Sequence, residues 1–237
     1  MEPTTQVIVH RLRIREKDEV PQDTWFLLAR THTIDRGRPV LLSWTGTMFE
    51  YLMPGLWMHT YAGTLLDRSR HAAVRSQQEY TASKRIPWGI SESAFATRDA
   101  AGNYGYHAFG IPQLALNQDE LDALVISPYS TFLALTTSPR AVLENLRKMS
   151  REGWFGTYGF YESADFSASQ DRIWRRDFEI VRCWMAHHQG MSLLSIANFL
   201  ADEVVQEWFH AHPRVQATEL LLHEKPVNYL PSGAAAV

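Results

Sequence analysis

Residues 64–85 read TLLDRSRHAAVRSQQEYTASKR. Leu65, Leu66, His71, Ala72, Ala73 and Val74 sit among Arg, Gln and Glu at the other positions. That spacing predicts a helix with one apolar stripe, the clearest in the chain. Working outward, Pro21 opens a predicted helix near Gln22–Thr31, with Trp25, Phe26 and Leu28 as its apolar residues. Thr47–His59 is apolar and predicted helical, interrupted near Pro54 and Gly55. Ser127–Thr137 is a short apolar stretch. Ser138 and Pro139 then supply the cap and first turn of a helix from Arg140 to Arg151, stopped at Gly153. Asp177–Ala201 reads as one long apolar helix bent at Gly190. Asp202–His210 and Val215–Glu224 read as shorter helices, with Pro213 between them. About eight helices and no period-2 strand set place the chain in the all-α class.

Two Gly/aromatic regions, 87–118 and 153–166, separate these helices. Such connections carry sites more often than cores. Helices alternating with site-like loops predict stacked helical hairpins, and a weak repeat supports them. Trp88-Gly89-Ile90-Ser91-Glu92-Ser93-Ala94 matches Tyr158-Gly159-Phe160-Tyr161-Glu162-Ser163-Ala164. Both read aromatic, Gly, apolar, any, Glu, Ser, Ala. The two glutamates are 70 residues apart (162 − 92), two hairpin units of about 35 residues. A looser third copy, Gly46-Thr47-Met48-Phe49-Glu50, has its Gly four residues before the Glu. Hairpins wrapped around an axis turn such loops toward one cavity, which predicts that the glutamates converge. Residues 1–20 read as a charged lead-in, 21–225 as the helical domain and 226–237 as a frayed tail.

Composition narrows the function. The chain has 237 residues, 45% of them hydrophobic, enough for a sizeable core. Its 23 Lys+Arg against 26 Asp+Glu give no basic field, so nucleic-acid binding by charge is not expected. The single cysteine, Cys183, excludes an intrachain disulfide and a cysteine-based zinc site. It lies in the apolar run Ile180, Val181, Cys183, Trp184 and reads as a core residue. Met1–Arg15 lacks the apolar stretch of a signal peptide, and no apolar run is long enough to span a membrane.

Glu92 and Glu162 are the sharpest chemical features. Each lies in a loop between apolar and aromatic residues. A carboxyl against apolar walls holds its proton near neutrality, while a better-solvated one stays ionised. Two such groups among aromatics are the equipment of glycosidic bond cleavage or transfer. The competing reading makes each glutamate a cap or a loop tie. Glu50, within Met48, Phe49, Tyr51, Leu52 and Met53, needs a partner. It reads as a third cavity acid, a sugar-hydroxyl acceptor or half of a buried pair.

His187 and His188 project about 100° apart on a helix and do not form an i, i+4 metal pair. They read as core histidines or, with Gln189, as partners of sugar hydroxyls. No His-Glu-x-x-His, nucleophile elbow, phosphate loop or dinucleotide fingerprint occurs, and neither a metal nor a cofactor is expected. Trp44, Trp88, Tyr104, Tyr106, Tyr158 and Tyr161 flank the loops and are candidate stacking faces. Trp25, Trp174, Trp184 and Trp208 read as core.

Five motifs occur in order: Leu42–Pro54, Pro87–Ala94, Tyr158–Glu162, Met185–Ser192 and Val215–Leu222. Together they resemble the glucoamylase-like central domain of bacterial cyclic β-1,2-glucan synthases, from about Val20 to Lys225. The resemblance implies an (α/α)6 barrel related to endo-β-1,2-glucanases. It implies a retaining transglycosylase that closes linear β-1,2-glucan into a ring, with Glu92 as acid/base and Glu162 as nucleophile. The reverse assignment, a hydrolytic endo-β-1,2-glucanase and an inactive glucan-binding segment are the alternatives. Related glucanases relay protons through a substrate hydroxyl or water, so carboxyl separation does not fix the stereochemistry. The parent enzymes are inner-membrane proteins with soluble parts, and this stretch lies between a glycosyltransferase region and a phosphorylase-like region. Twelve helices make such a barrel. Fewer are read here and residues 1–20 fit poorly, so the expectation is an incomplete barrel lacking its first helices.

Overall fold

Thr47 and Thr64 each stop the chain in an extended conformation and cap a helix with the side-chain oxygen. These caps fix the N-terminal half of the molecule. The computed structural model describes residues 29–117, 123–167, 178–219 and 221–223. Strands β1 (His32–Asp35) and β2 (Arg38–Leu41) form a hairpin, followed by helix α1 (Met48–Leu52) and a 3-10 turn, Met53–Leu56. Helix α2 (Leu65–Lys84) packs on β2 and α1. The Thr64 hydroxyl accepts from the Asp67 amide, and Arg85 ends the helix in the left-handed conformation. Both ends lie where the sequence places them. The region from Thr47 is likewise helical up to its Pro54 interruption.

The remaining elements alternate short strands with helices. They are β3 (Ser93–Arg98), β4 (Tyr104–His107), β5 (Val125–Ile126), α3 (Pro128–Leu133) and α4 (Pro139–Arg151). They continue with β6 (Phe155–Gly156), β7 (Gly159–Phe160), β8 (Ser163–Asp165) and β9 (Glu179–Val181). The chain closes with α5 (Ala186–Leu200), α6 (Val204–His210) and α7 (Pro213–Glu219). The described residues thus hold seven helices and nine short strands, so the all-α expectation is corrected to a mixed architecture. Two- to six-residue strands are too short to show a period. The 87–118 loop contains the β3–β4 hairpin, and the 153–166 loop contains β6, β7 and β8.

The long helix expected from Asp177 is also corrected. Ile180 and Val181 instead pair with Ala164 and Ser163 in an antiparallel sheet of order β5-β8-β9, and the helix starts at Ala186. β-branched residues suit a strand that fills the open edge of β8. Cys183 lies in the link after β9 and is half-buried, not core. Trp184 and Trp208 are exposed, the latter to 70%, against the core expectation. Trp25, Trp174, most of the predicted Gln22–Thr31 helix and the 226–237 tail lie outside the described residues. The core runs through Met48, Leu52, Ile90, Ile126, Leu133 and Met149, between the helices and the three-stranded sheet.

Candidate active site

Glu92 ends a buried segment held by side chains acting as strand partners. The Asn145 side chain on α4 accepts from the Trp88 amide at 3.1 Å and donates to the Trp88 carbonyl at 2.7 Å. Gln77 on α2 repeats the arrangement at Ile90, with both bonds at 2.9 Å. Between them Gly89 has φ +122°, and an added Cβ would lie 2.7 Å from Ser130 Oγ. Only glycine meets both demands. The Gly89 carbonyl accepts from the Ser127 amide and the Ser130 hydroxyl, each at 2.9 Å. The chain therefore reaches Glu92 along a path fixed by α2, α3 and α4.

Glu162 is set from the other side. Its amide donates to the Cys183 carbonyl at 3.0 Å, and Tyr161 donates to the Trp154 carbonyl at 2.9 Å. The two repeat copies then touch. The Ala94 amide donates to Glu162 Oε1 at 3.3 Å, and the Ser163 hydroxyl donates to the Ala94 carbonyl at 2.5 Å. Each motif lies against β5: Ile90 bridges Ile126, and Ala164 pairs with the same residue. One short strand thus brings together glutamates that are distant in sequence.

The Glu162 carboxylate is buried and lies 2.9 Å from His188 Nδ1 through both oxygens. The Tyr129 ring on α3 stacks on the imidazole, with centroids 3.6 Å apart and planes within 9°. The Tyr129 hydroxyl donates to the Glu92 carbonyl at 2.8 Å. His188 Nε2 lies 3.3 Å from the Tyr106 hydroxyl, and His187 Nε2 lies 3.4 Å from it. Glu92 stands beside the same hydroxyl. Burial, then the charge and hydrogen bond of Glu92, then the charge of Glu162 push the Tyr106 ionisation far up. Tyr129 is raised likewise, chiefly by burial. His187 is held below the ordinary imidazole range by burial and by its neighbour His188. Burial and the Glu162 charge push the Cys183 thiol up, away from the reactive thiolate.

A cavity of about 270 Å³ opens on this cluster, with Tyr129, Tyr161, Glu162, His188 and Gln189 among its lining residues. Gln189 donates to the Phe160 carbonyl at 3.3 Å. Tyr158 is 76% exposed, and Tyr158 and Tyr161 both pack on Trp184. Phe155 is exposed on the adjoining β6–β7 hairpin. Tyr104 lies under the Arg98 guanidinium and lines a second cavity of about 730 Å³ with Phe178, Glu179 and Arg182. Trp44 is exposed on the turn ahead of α1. Trp88, expected as a stacking face, is buried in the core.

Glu50 is not a cavity acid. It closes a capping box with Thr47 and accepts from Ser43 Oγ at 2.8 Å and from the Thr45 and Thr47 amides at 3.0 and 2.9 Å. Its lone pairs are spent on its own turn. Tyr129, stacked on His188, lies in a stretch whose sequence reads as merely apolar. The polar start of that stretch, Ser127, Tyr129, Ser130 and Thr131, was the available signal. Among the described residues, no group of three His, Cys, Asp or Glu is placed to hold a metal ion. No described helix is long and apolar enough to cross a membrane.

Comparison with known proteins places this geometry in context. The family described as "Putative glucoamylase" matches residues 16–213. Cyclic beta-(1,2)-glucan synthase NdvB of Rhizobium meliloti (strain 1021) is 37% identical over 219 residues, covering 92% of this chain and 8% of that protein. The fold matches an endo-beta-1,2-glucanase from Talaromyces funiculosus solved with beta-1,2-glucan, at TM-score 0.63 and 19% identity, over 89% of this chain and 43% of that one. It also matches a putative glucoamylase from Bacteroides caccae, at TM-score 0.60 and 18% identity, over 91% and 52%. The chain therefore spans a small part of the synthase and about half of each structure. It belongs to the putative glucoamylase family, as a glucoamylase-like domain related to the cyclic β-1,2-glucan synthase NdvB and to endo-β-1,2-glucanases.

Proposed function

We propose that this domain acts on β-1,2-glucan by retaining glycosyl transfer and closes linear chains into rings, as part of a longer synthase and of an (α/α)6 barrel. Glu92 is the acid/base and Glu162 the nucleophile. The observation that carries this reading is the meeting of the two repeat-motif glutamates around Tyr106 and His188, beside a cavity edged by exposed aromatic rings. In the first step Glu92 protonates the leaving glycosidic oxygen while the Glu162 carboxylate takes up the glycosyl group. In the second, Glu92 removes the proton of an incoming sugar hydroxyl, which attacks the anomeric carbon and frees Glu162. When that hydroxyl belongs to the far end of the same chain, the product is a ring. The Nδ1–H of His188 keeps Glu162 supplied with a donor. Tyr158, Tyr161 and Trp184 offer the apolar faces that sugar rings stack on, and an occupied acceptor face keeps water from attacking.

The test is product analysis by mass spectrometry after incubation with linear β-1,2-glucan. Products lighter than the linear chain by one water, lost in Glu92→Gln and Glu162→Gln, are expected. Shorter linear products would replace the cyclising reading with hydrolysis. Unchanged substrate in all three proteins would remove the catalytic reading.

A further inference from the structure

We propose that the cavity of about 730 Å³ between the β3–β4 hairpin and β9 is a second glucan-binding site, which holds the chain some sugars away from the bond being exchanged. The proposal rests on the function proposed above. Size is the first observation. The cavity on the glutamate cluster measures about 270 Å³, below the roughly 300–1,000 Å³ of small-molecule sites, and its neighbour falls within that range. Transfer needs sugars on both sides of the exchanged bond, so a chain engaged at Glu162 runs out of the smaller cavity. Two paths lead from one cavity to the other. Tyr161 lines the first, and the Arg182 guanidinium of the second lies over its ring, 5.9 Å from the centroid. Tyr106, at His187 and His188, and Tyr104, in the second cavity, lie two residues apart on β4. Residues at that spacing share one face of a strand, about 7 Å apart. The four residue steps from Ala94 to Arg98 on β3 pair with the two from Tyr106 to Tyr104, and this bulge sets Arg98 opposite Tyr104. The Arg98 guanidinium then lies 4.2 Å over the Tyr104 ring and donates to its hydroxyl.

The lining selects the ligand. Arg98 and Arg182 only donate hydrogen bonds, and an ionised Glu179 only accepts them. Glu179 and Arg182 are exposed, and among the described residues neither side chain has a hydrogen bond or an ion pair. An anion drawn to the two guanidiniums meets the Glu179 charge, and a cation meets two arginines. A neutral polyol suits all three, because each hydroxyl both donates and accepts. Tyr104 and Phe178 add apolar surface for the sugar rings. The ligand class is therefore a neutral carbohydrate, and the paths through Tyr161 and Tyr106 make it the same β-1,2-glucan chain that reaches Glu162. A chain held at two points keeps its loose end near the site between the two chemical steps, at an effective concentration that free acceptors do not reach. The second site thereby favours ring closure over release of linear product.

The experiment titrates long linear β-1,2-glucan into the full chain, with Glu92→Gln present throughout so that the glucan is not consumed. Backbone amide NMR maps the contact, and calorimetry gives the affinity. The glucan is expected to move the amides of Tyr104 and Glu179–Val181 together with those of Tyr161 and Gln189. Adding Glu179→Ala or Arg182→Ala is expected to weaken binding about tenfold. The mapping needs neither variant to fold. Shifts confined to Tyr161 and Gln189, or affinities within about twofold of the parent, would overturn the second site and leave the proposed function standing. Inorganic phosphate is the rival probe. Phosphate that binds the parent and not Arg182→Ala would make the cavity an anion site and overturn the proposal as well. A parent protein that binds no glucan overturns the proposed function, and the second site with it.

Discussion

Gln77→Ala tests whether the floor of the site is held by side chains imitating strands. Gln77 is buried and makes two bonds of 2.9 Å to the backbone of Ile90, itself fully buried. The two ends of Ile90 are not equivalent. Its carbonyl also accepts from the Met48 amide at 3.3 Å and keeps a partner in the variant. Its N–H donates to Gln77 Oε1 and is left buried and unpaired in the variant. A lost bond between satisfied groups costs about 1 kcal/mol, and an orphaned buried donor costs roughly 1–3 kcal/mol. The expected loss is therefore about 2–4 kcal/mol, a large share of the roughly 5–15 kcal/mol that holds a domain together. Urea unfolding followed by tryptophan fluorescence reads it, with Ser76→Ala on the same helix as the control within about 0.5 kcal/mol. A Gln77→Ala loss no larger than that of the control would refute the account of the Trp88–Glu92 segment.

The same packing makes three further outcomes testable. Gly89→Ala places a Cβ 2.7 Å from Ser130 Oγ at a φ of +122° and is expected to destabilise by more than about 2 kcal/mol, read as a lower urea midpoint. Tyr158→Ala removes a ring that is 76% exposed, so stability should stay within about 0.5 kcal/mol while KM for linear β-1,2-glucan rises severalfold. The third concerns pH. Burial and the charge of His59 hold His210 below its ordinary range of about 6.5, against the opposing pull of Glu219 and Glu207. The folded state then binds fewer protons than the unfolded chain in that window. Stability rises with pH and is lost as pH falls toward 5.5. His210→Gln should flatten the urea midpoint between pH 7.5 and 5.5, and an unchanged slope would contradict the assignment.

The helices were legible where caps and stripes coincide. Thr64 and Asp67 announce α2, while Pro139 and Gly153 bound α4, which starts without the expected side-chain cap from Ser138. The strands were not, because β5 to β9 have two or three residues each and owe their conformation to partners distant in sequence. The same difference runs through the site. Glu92 and Glu162 stood out because a repeated context does not depend on the fold. Tyr129 and the buried amides Gln77 and Asn145 did not, because their meaning lies in which backbone they meet. Gln77 nevertheless lies four residues from both Ala73 and Thr81 on the buried face of α2. A lone amide on such a stripe signals a buried backbone segment waiting for a partner.

These side chains also explain why strands appear in a chain built on helices. A helix face cannot present a carboxylate from each of two distant segments to one point, since each residue turns by about 100° from the last. An extended segment can, provided that its backbone groups are paired. Here β5 pairs with β8 on one side and bridges Ile90 on the other, while Gln77 and Asn145 supply the bonds that a full sheet would give. The helices fix positions, and the short strands deliver direction. Glu92 then ends a segment tied to α2 and α4, and Glu162 lies on His188 of α5, so neither can shift without breaking buried bonds. Electrostatic catalysis depends on groups that do not reorganise during the reaction, so under the proposed function the same bonds that make the segment costly to mutate hold Glu92 in place while His188 holds Glu162.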